Sequence, residues 1–168
     1  QPNPSGTWYQ KVDCESGFST IVEDGSLQLV FAPGSKGCNW DLLHAAPSGD
    51  WAISALIDFE PVAGSSFGIV VRGSESFIAL SRRDLDGRSI QFERRDDRDI
   101  RIDDFLGSPP VLLRLEKRGT VIRGSVSRDF ERFIPLPGEA PVEELGKIGS
   151  IGVGGSVAHW TGEGSRPA

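Results

Sequence analysis

Arg72, Arg82, Glu93 and Arg94 each stand at the polar end of an apolar run, and each carries a planar fork of hydrogen-bonding atoms. A sugar offers an apolar ring face bordered by hydroxyls. A site for one therefore needs an aromatic plate beside groups that bond in pairs. Trp40 or Trp160 would supply the plate, and the three arginines are expected to line one sheet face as a groove. A blander reading competes at each position. Trp40, like Trp51, lies in a strongly apolar stretch where core packing accounts for it, and the Arg82-Arg83 and Arg94-Arg95 pairs have acidic neighbours able to neutralise them.

The densest charge lies in Asp84–Asp104, with seven Asp, one Glu and five Arg. Interleaved signs fit a solvated edge hairpin laced with ion pairs. Clustered carboxylates also suit a hard cation, so Asp84 and Asp86 are candidate calcium ligands. Against that, the stretch lacks an ordered ligand set, and its arginines compete for the carboxylates. His44 ends an apolar strand, as a half-buried bonded ring or as a ligand. His159 sits beside Trp160 in a Gly-rich tail, solvated or touching a partner. Two cysteines and two distant histidines make no zinc site, since ligand pairs fall two to five residues apart. No metal or other cofactor is expected.

Cys14 and Cys38 are the only cysteines, and the 168 residues include no Met. A chain without Met reads as one whose leader was removed on export, with Gln1–Ser5 as the spacer after cleavage. Export to the periplasm or beyond the cell would let the two thiols pair. Closing that loop of 25 residues would stabilise the fold by roughly 3.5 kcal/mol on the chain-entropy account. The alternative is two free, buried thiols.

These residues need a scaffold, and the spacing of apolar residues describes one. After the turn at Ser48-Gly49-Asp50, the side chains of Trp51, Ile53, Ala55, Ile57 and Phe59 recur with period two, which predicts a strand with one buried face and with Ser54 and Asp58 turned away. The same grammar predicts strands at Thr7–Gln10, Ser26–Phe31, Asn39–His44, Trp51–Phe59, Phe67–Arg72, Phe77–Arg82, Ser89–Arg94, Val111–Lys117, Thr120–Ser127, Arg132–Leu136 and Lys147–Gly154. Turns such as Pro33-Gly34 and Arg118-Gly119 separate them. Only Pro141–Leu145 reads as a short helix. Short strands without intervening helices imply antiparallel sheets packed as an all-β sandwich in one domain, residues 1–168, with 1–6 and 156–168 as flexible or partner-contacting ends. The net charge of −6 argues against a nucleic-acid binder, and no apolar run approaches the roughly 20 residues of a membrane-spanning helix.

The stretch NWDLLHAAPSGDWAISALIDFEP (39–61), followed by SFGIVVRGSESFIALSRRD (66–84), resembles the concanavalin A-like domain at the C-terminus of beta-xylosidases and related secreted bacterial domains of unassigned function. Further on, VLLRLEKRGTVIRGSVSRDFERFIPL (111–136) is similar to that family's Leu-Arg-Leu strand, turn, and strand ending Ser-x-Asp-Gly-x-x-Trp. The matching residues are Leu113, Arg114, Leu115, Ser127, Asp129 and Phe133. Phe130 replaces the turn glycine, so that hairpin tip is expected to differ. The resemblance spans about Leu27 to Gly154 and implies a jelly-roll sandwich of two curved sheets.

Sandwich glucanases place three acids on one strand as Glu-x-Asp-x-x-Glu, and sandwich lyases use Tyr, His and Arg. The first string is absent here, and Tyr9 is the only tyrosine. No Gly-x-Ser-x-Gly elbow precedes a helix. Gly152-Val153-Gly154-Gly155 looks like a phosphate loop only superficially, because no helix follows it. The expectation is a non-catalytic, carbohydrate-binding module with an oligosaccharide as partner. The alternative is a structural or interaction subunit bound to another protein chain, or an accessory domain of a larger glycoside hydrolase. The family's closing strand is missing after Gly154. This predicts either a chain cut from a longer precursor or an edge completed by a neighbour.

Overall fold

The computed structural model describes residues 8–13, 18–23, 26–31, 36–58, 63–84, 87–94, 99–104 and 109–159, with the backbone alone for 18–31, 36 and 158–159. Its strands are β1 (Tyr9–Asp13), β2 (Phe18–Glu23), β3 (Ser26–Phe31), β4 (Lys36–Ala45), β5 (Trp51–Ile57), β6 (Ser65–Gly73), β7 (Phe77–Asp84), β8 (Arg88–Glu93), β9 (Ile100–Asp103), β10 (Val111–Arg118), β11 (Val121–Ser127), β12 (Ile134–Pro135), β13 (Ala140–Pro141) and β14 (Ile148–His159). One sheet runs β1-β4-β14-β6-β7-β8-β9. A second runs β12-β11-β10-β5 with β13 beside β11, and among the described residues β2 and β3 form a two-stranded sheet. All the pairings are antiparallel.

The two large sheets face each other across one core. Ile69, Val71, Ile78, Leu80, Ile90, Phe92 and Ile151 of the seven-stranded sheet meet Leu113, Leu115, Ile122 and Val126 of the other. Gly124 on β11 brings the layers together, since a Cβ there would lie 3.5 Å from both Leu80 and Phe92. On β5, Trp51 is buried, and Ile53, Ala55 and Ile57 pack against the core from partly buried positions, while Ala52, Ser54, Leu56 and Asp58 are exposed. That is the predicted register. Phe59 lies outside the described residues.

Three strands escape the periodicity: β2, β9 and the two-residue β13. Alternation is short or interrupted by charge in each of them. Pro141–Leu145 forms a 3₁₀ turn over Val142–Leu145, too short for an α-helix. The largest correction concerns β14. It continues through Ser156 to His159 instead of ending at Gly154, and it runs between β4 and β6 near the middle of its sheet. Val157 is buried rather than part of a loose tail. Among the described residues both flanks of β14 are paired, by β4 and β6, and β1 pairs along the far flank of β4, from Tyr9 with Leu43 to Asp13 with Asn39, so the edge expected to be unfinished is covered there.

Candidate functional site

Directly paired residues share a face, so the registers sort the seven-stranded sheet into a core side and an outer side. Phe67, Arg82 and Ile90 form one row on the core side. A row on the outer side reads Lys11, Asp41, Gly154, Gly68, Ser81, Gln91, Arg101. Arg72 and Phe77 are paired on that outer side too. The arginines expected to line one groove are therefore divided between opposite faces of the sheet.

Arg82 is 2% exposed, and its Nε donates to Oδ2 of Asp104 at 2.5 Å. Asp104 is itself buried, and its Oδ1 accepts from Nη1 of Arg128 at 3.1 Å. This is a buried ion network, so Arg82 holds the β7–β9 end together and lines no groove. Arg94 continues the core-side parity of β8 at its end. Its Nη1 donates to the carbonyl of Glu139 at 2.8 Å, and its backbone N–H donates to Asp99 Oδ1 at 3.0 Å. Glu93 faces outward 3.7 Å from Arg83. Burial, with Asp99 nearby, pushes its carboxyl above the usual range despite Arg83. Trp40 is buried on the core side of β4 and offers no plate to solvent. Trp160, Asp86 and Cys14 lie outside the described residues.

Asp84 is 3.7 Å from Arg88, and among the described residues no three His, Cys, Asp or Glu side chains gather as a metal site. The nitrogen Nδ1 of His44 bonds the Ala45 carbonyl at 2.7 Å, and the ring packs against Trp8 with centroids 5.4 Å apart. The charged stretch does lie at the sheet edge in β8 and β9, but Asp104 makes it only partly a solvated hairpin.

Of the expected residues, Arg72 lines a cleft. Lys11, Asp13, Asn39, Asp41 and Arg72 line one of about 190 Å³ on the outer side of β1, β4 and β6. Nε and Nη2 of Arg72 both donate to Oδ2 of Asp41, at 2.7 and 2.5 Å. The guanidinium carbon of Arg72 lies 5.7 Å from the Phe77 ring centre. Oδ1 of Asp41 occupies the space above Gly154, 2.1 Å from where a Cβ would be, so only glycine leaves room for this carboxylate. Asp41 is 5% exposed, and burial pushes its carboxyl above the ordinary range, with Arg72 and then Lys11 pulling the other way. Among the described residues nothing hydrogen-bonds Oδ1. Sequence reasoning missed Asp41, Asn39, Lys11 and Asp13. A signal existed for Asp41, the single carboxylate inside the apolar run from Trp40 to Leu43. Such a charge must find a partner.

No family model matches the chain, and no curated protein matches it. Among solved structures, the chain is similar to a mutant of the GH43 protein BlXynB from Bacillus licheniformis, with a TM-score of 0.57 and 15% identity over 75% of this chain and 27% of that one. It thus spans about a quarter of that protein's length. A lectin from Bauhinia forficata, solved in complex with GalNAc, gives a TM-score of 0.48 and 9% identity over 89% of this chain and 91% of the lectin. The likeness to the GH43 protein is one of fold, a β-sandwich of antiparallel sheets.

Proposed function

We propose that the protein is a non-catalytic, carbohydrate-binding module whose site is the Asp41–Arg72 cleft. One observation carries the reading. A buried carboxylate is fixed by a two-nitrogen contact through one oxygen, and its other oxygen has no hydrogen bond among the described residues. Fixed carboxylates of this kind hold sugar hydroxyls at little entropic cost. The fold shared with the GH43 protein is consistent with this reading, as is the resemblance to the C-terminal domain of beta-xylosidases. The chain's quarter share of the GH43 protein also favours a role as accessory domain of a larger hydrolase.

Secretion and a Cys14–Cys38 disulfide belong to the same proposal. Cys38 is buried on β4, and the last pair of β1 with β4, Asp13 with Asn39, adjoins the two cysteines in sequence. Directly opposed residues of antiparallel strands lie about 4.5–5.5 Å apart at Cα, within the range a disulfide spans. Two titratable thiols in the unfolded, unreduced protein would refute the bond. Calorimetric titration with an oligosaccharide panel tests the binding itself. Saturable binding that Asp41→Ala abolishes is expected. A flat response to every sugar at millimolar concentration would reject the reading in favour of a structural or interaction subunit.

A further inference from the structure

The composition of the cleft narrows the class of sugar, an argument that rests on the carbohydrate-binding reading above. The lining contains two cations, Lys11 and Arg72, two anions, Asp13 and Asp41, and the amide of Asn39. Its charges therefore cancel. The less exposed cation is also committed, because Arg72 gives Nε and Nη2 to Oδ2 of Asp41 and lies against Phe77. A ligand carboxylate would compete with Asp41 for that guanidinium while approaching a second, poorly solvated anion. Like charges at short range repel far more strongly in such a place than in water. Oδ1 of Asp41 calls instead for a donor, and a hydroxyl donates without bringing a charge of its own. Size points the same way. At about 190 Å³ the cleft falls below the roughly 300–1,000 Å³ of pockets for drug-sized ligands, which leaves room for one ring rather than a buried chain.

We infer that the cleft takes a single neutral pyranose unit, with hydroxyls donating to Asp41 Oδ1 and accepting from Asn39 or Lys11, and that it discriminates against uronic acids. The amide of Asn39 and the ammonium of Lys11 sit on exposed rim positions, where they can turn to meet different hydroxyl patterns. Asp41 cannot turn, being held by Arg72 and seated on Gly154. The fixed acceptor sets the requirement for a neutral donor, and the mobile rim sets the tolerance among neutral sugars.

The experiment is calorimetry on the full chain with neutral oligosaccharides and with uronic acid oligomers of the same length, for the native sequence, Asp41→Asn and Asn39→Ala. Neutral sugars should bind about tenfold or more tightly than the uronic acids, the usual scale for losing a hydrogen bond to a charged group. Asp41→Asn should weaken neutral binding by a similar factor and narrow the gap between the two classes. Asn39→Ala alters an exposed side chain, so it tests the site even where Asp41→Asn does not fold, and a few-fold loss is expected. Uronic acids binding as well as neutral sugars would overturn the inference and leave the binding reading standing. Neutral binding unchanged in both variants would place the site elsewhere and overturn it too. Binding of no sugar at all would take both down together.

Discussion

Arg82 and Arg72 show how one residue type takes two roles according to the face it occupies. Arg82 shares its core-side row with Phe67 and Ile90, so its charge is neutralised by Asp104, which Arg128 also holds. Replacing Arg82 with Ala leaves Asp104 buried with half its partners, and the loss should be about 3–5 kcal/mol in chemical denaturation. An unchanged midpoint would contradict the network. Arg72, on the outer side, leaves Asp41 able to act. The carboxyl of Asp41 is raised in the folded state by burial, so the stability that its proton contributes is fully present below the unfolded value and is lost as pH rises through the folded one. Sugar binding should run the opposite way, weakening as pH falls through that raised value. Lys11, Arg72 and the carboxyl of Asp13 are the other charged groups facing the cleft. Titrations from neutral to acid pH test this: affinity that holds steady while the fold survives would contradict it. Phe130 makes a third case, with φ at +65°, the conformation suited to the glycine of the resembling family, and half of its surface exposed. Phe130→Gly should therefore raise stability by about 1 kcal/mol, read from the denaturation midpoint.

Strands carry this information unequally. The long core strands were legible in the sequence because one buried face imposes a period of two, as Val111, Leu113 and Leu115 on β10 and Ile78 and Leu80 on β7 illustrate. Arg82 continues that same even-numbered row, and its place inside was readable from the period. Its charge argued for the surface, and the charge misled. Nothing local revealed Asp104 as its partner, because that contact joins residues 22 apart in the sequence. The strand β14 was truncated in the reading for a related reason. Glycines at 152, 154 and 155 look like a loop, yet they let neighbouring backbones and the Asp41 carboxylate approach closely in the middle of a sheet. Depth within the strands predicts a graded response to truncation. Leu113→Ala, at a fully buried position, should cost about 2–5 kcal/mol, and Ile57→Ala, at a half-buried one, distinctly less. Equal losses in urea denaturation would show that β5 is buried more deeply than described.

At the scale of the whole molecule, two sheets share one core, and the polar outer side of the larger sheet carries the cleft between β1, β4 and β6. The fold class was readable from strands, turns and the absence of helices. The cleft was not, because it depends on which strands become neighbours: β1 must join β4, and β14 must enter between β4 and β6, before Lys11, Asp41 and Arg72 can meet. The most direct test maps a neutral oligosaccharide onto the protein by backbone amide NMR shifts during titration. Saturable shifts should concentrate at Lys11, Asn39, Asp41, Arg72 and Gly154. Shifts confined to the exposed side of β10 and β11, or no shifts at millimolar sugar, would contradict the assignment of this cleft as the binding site.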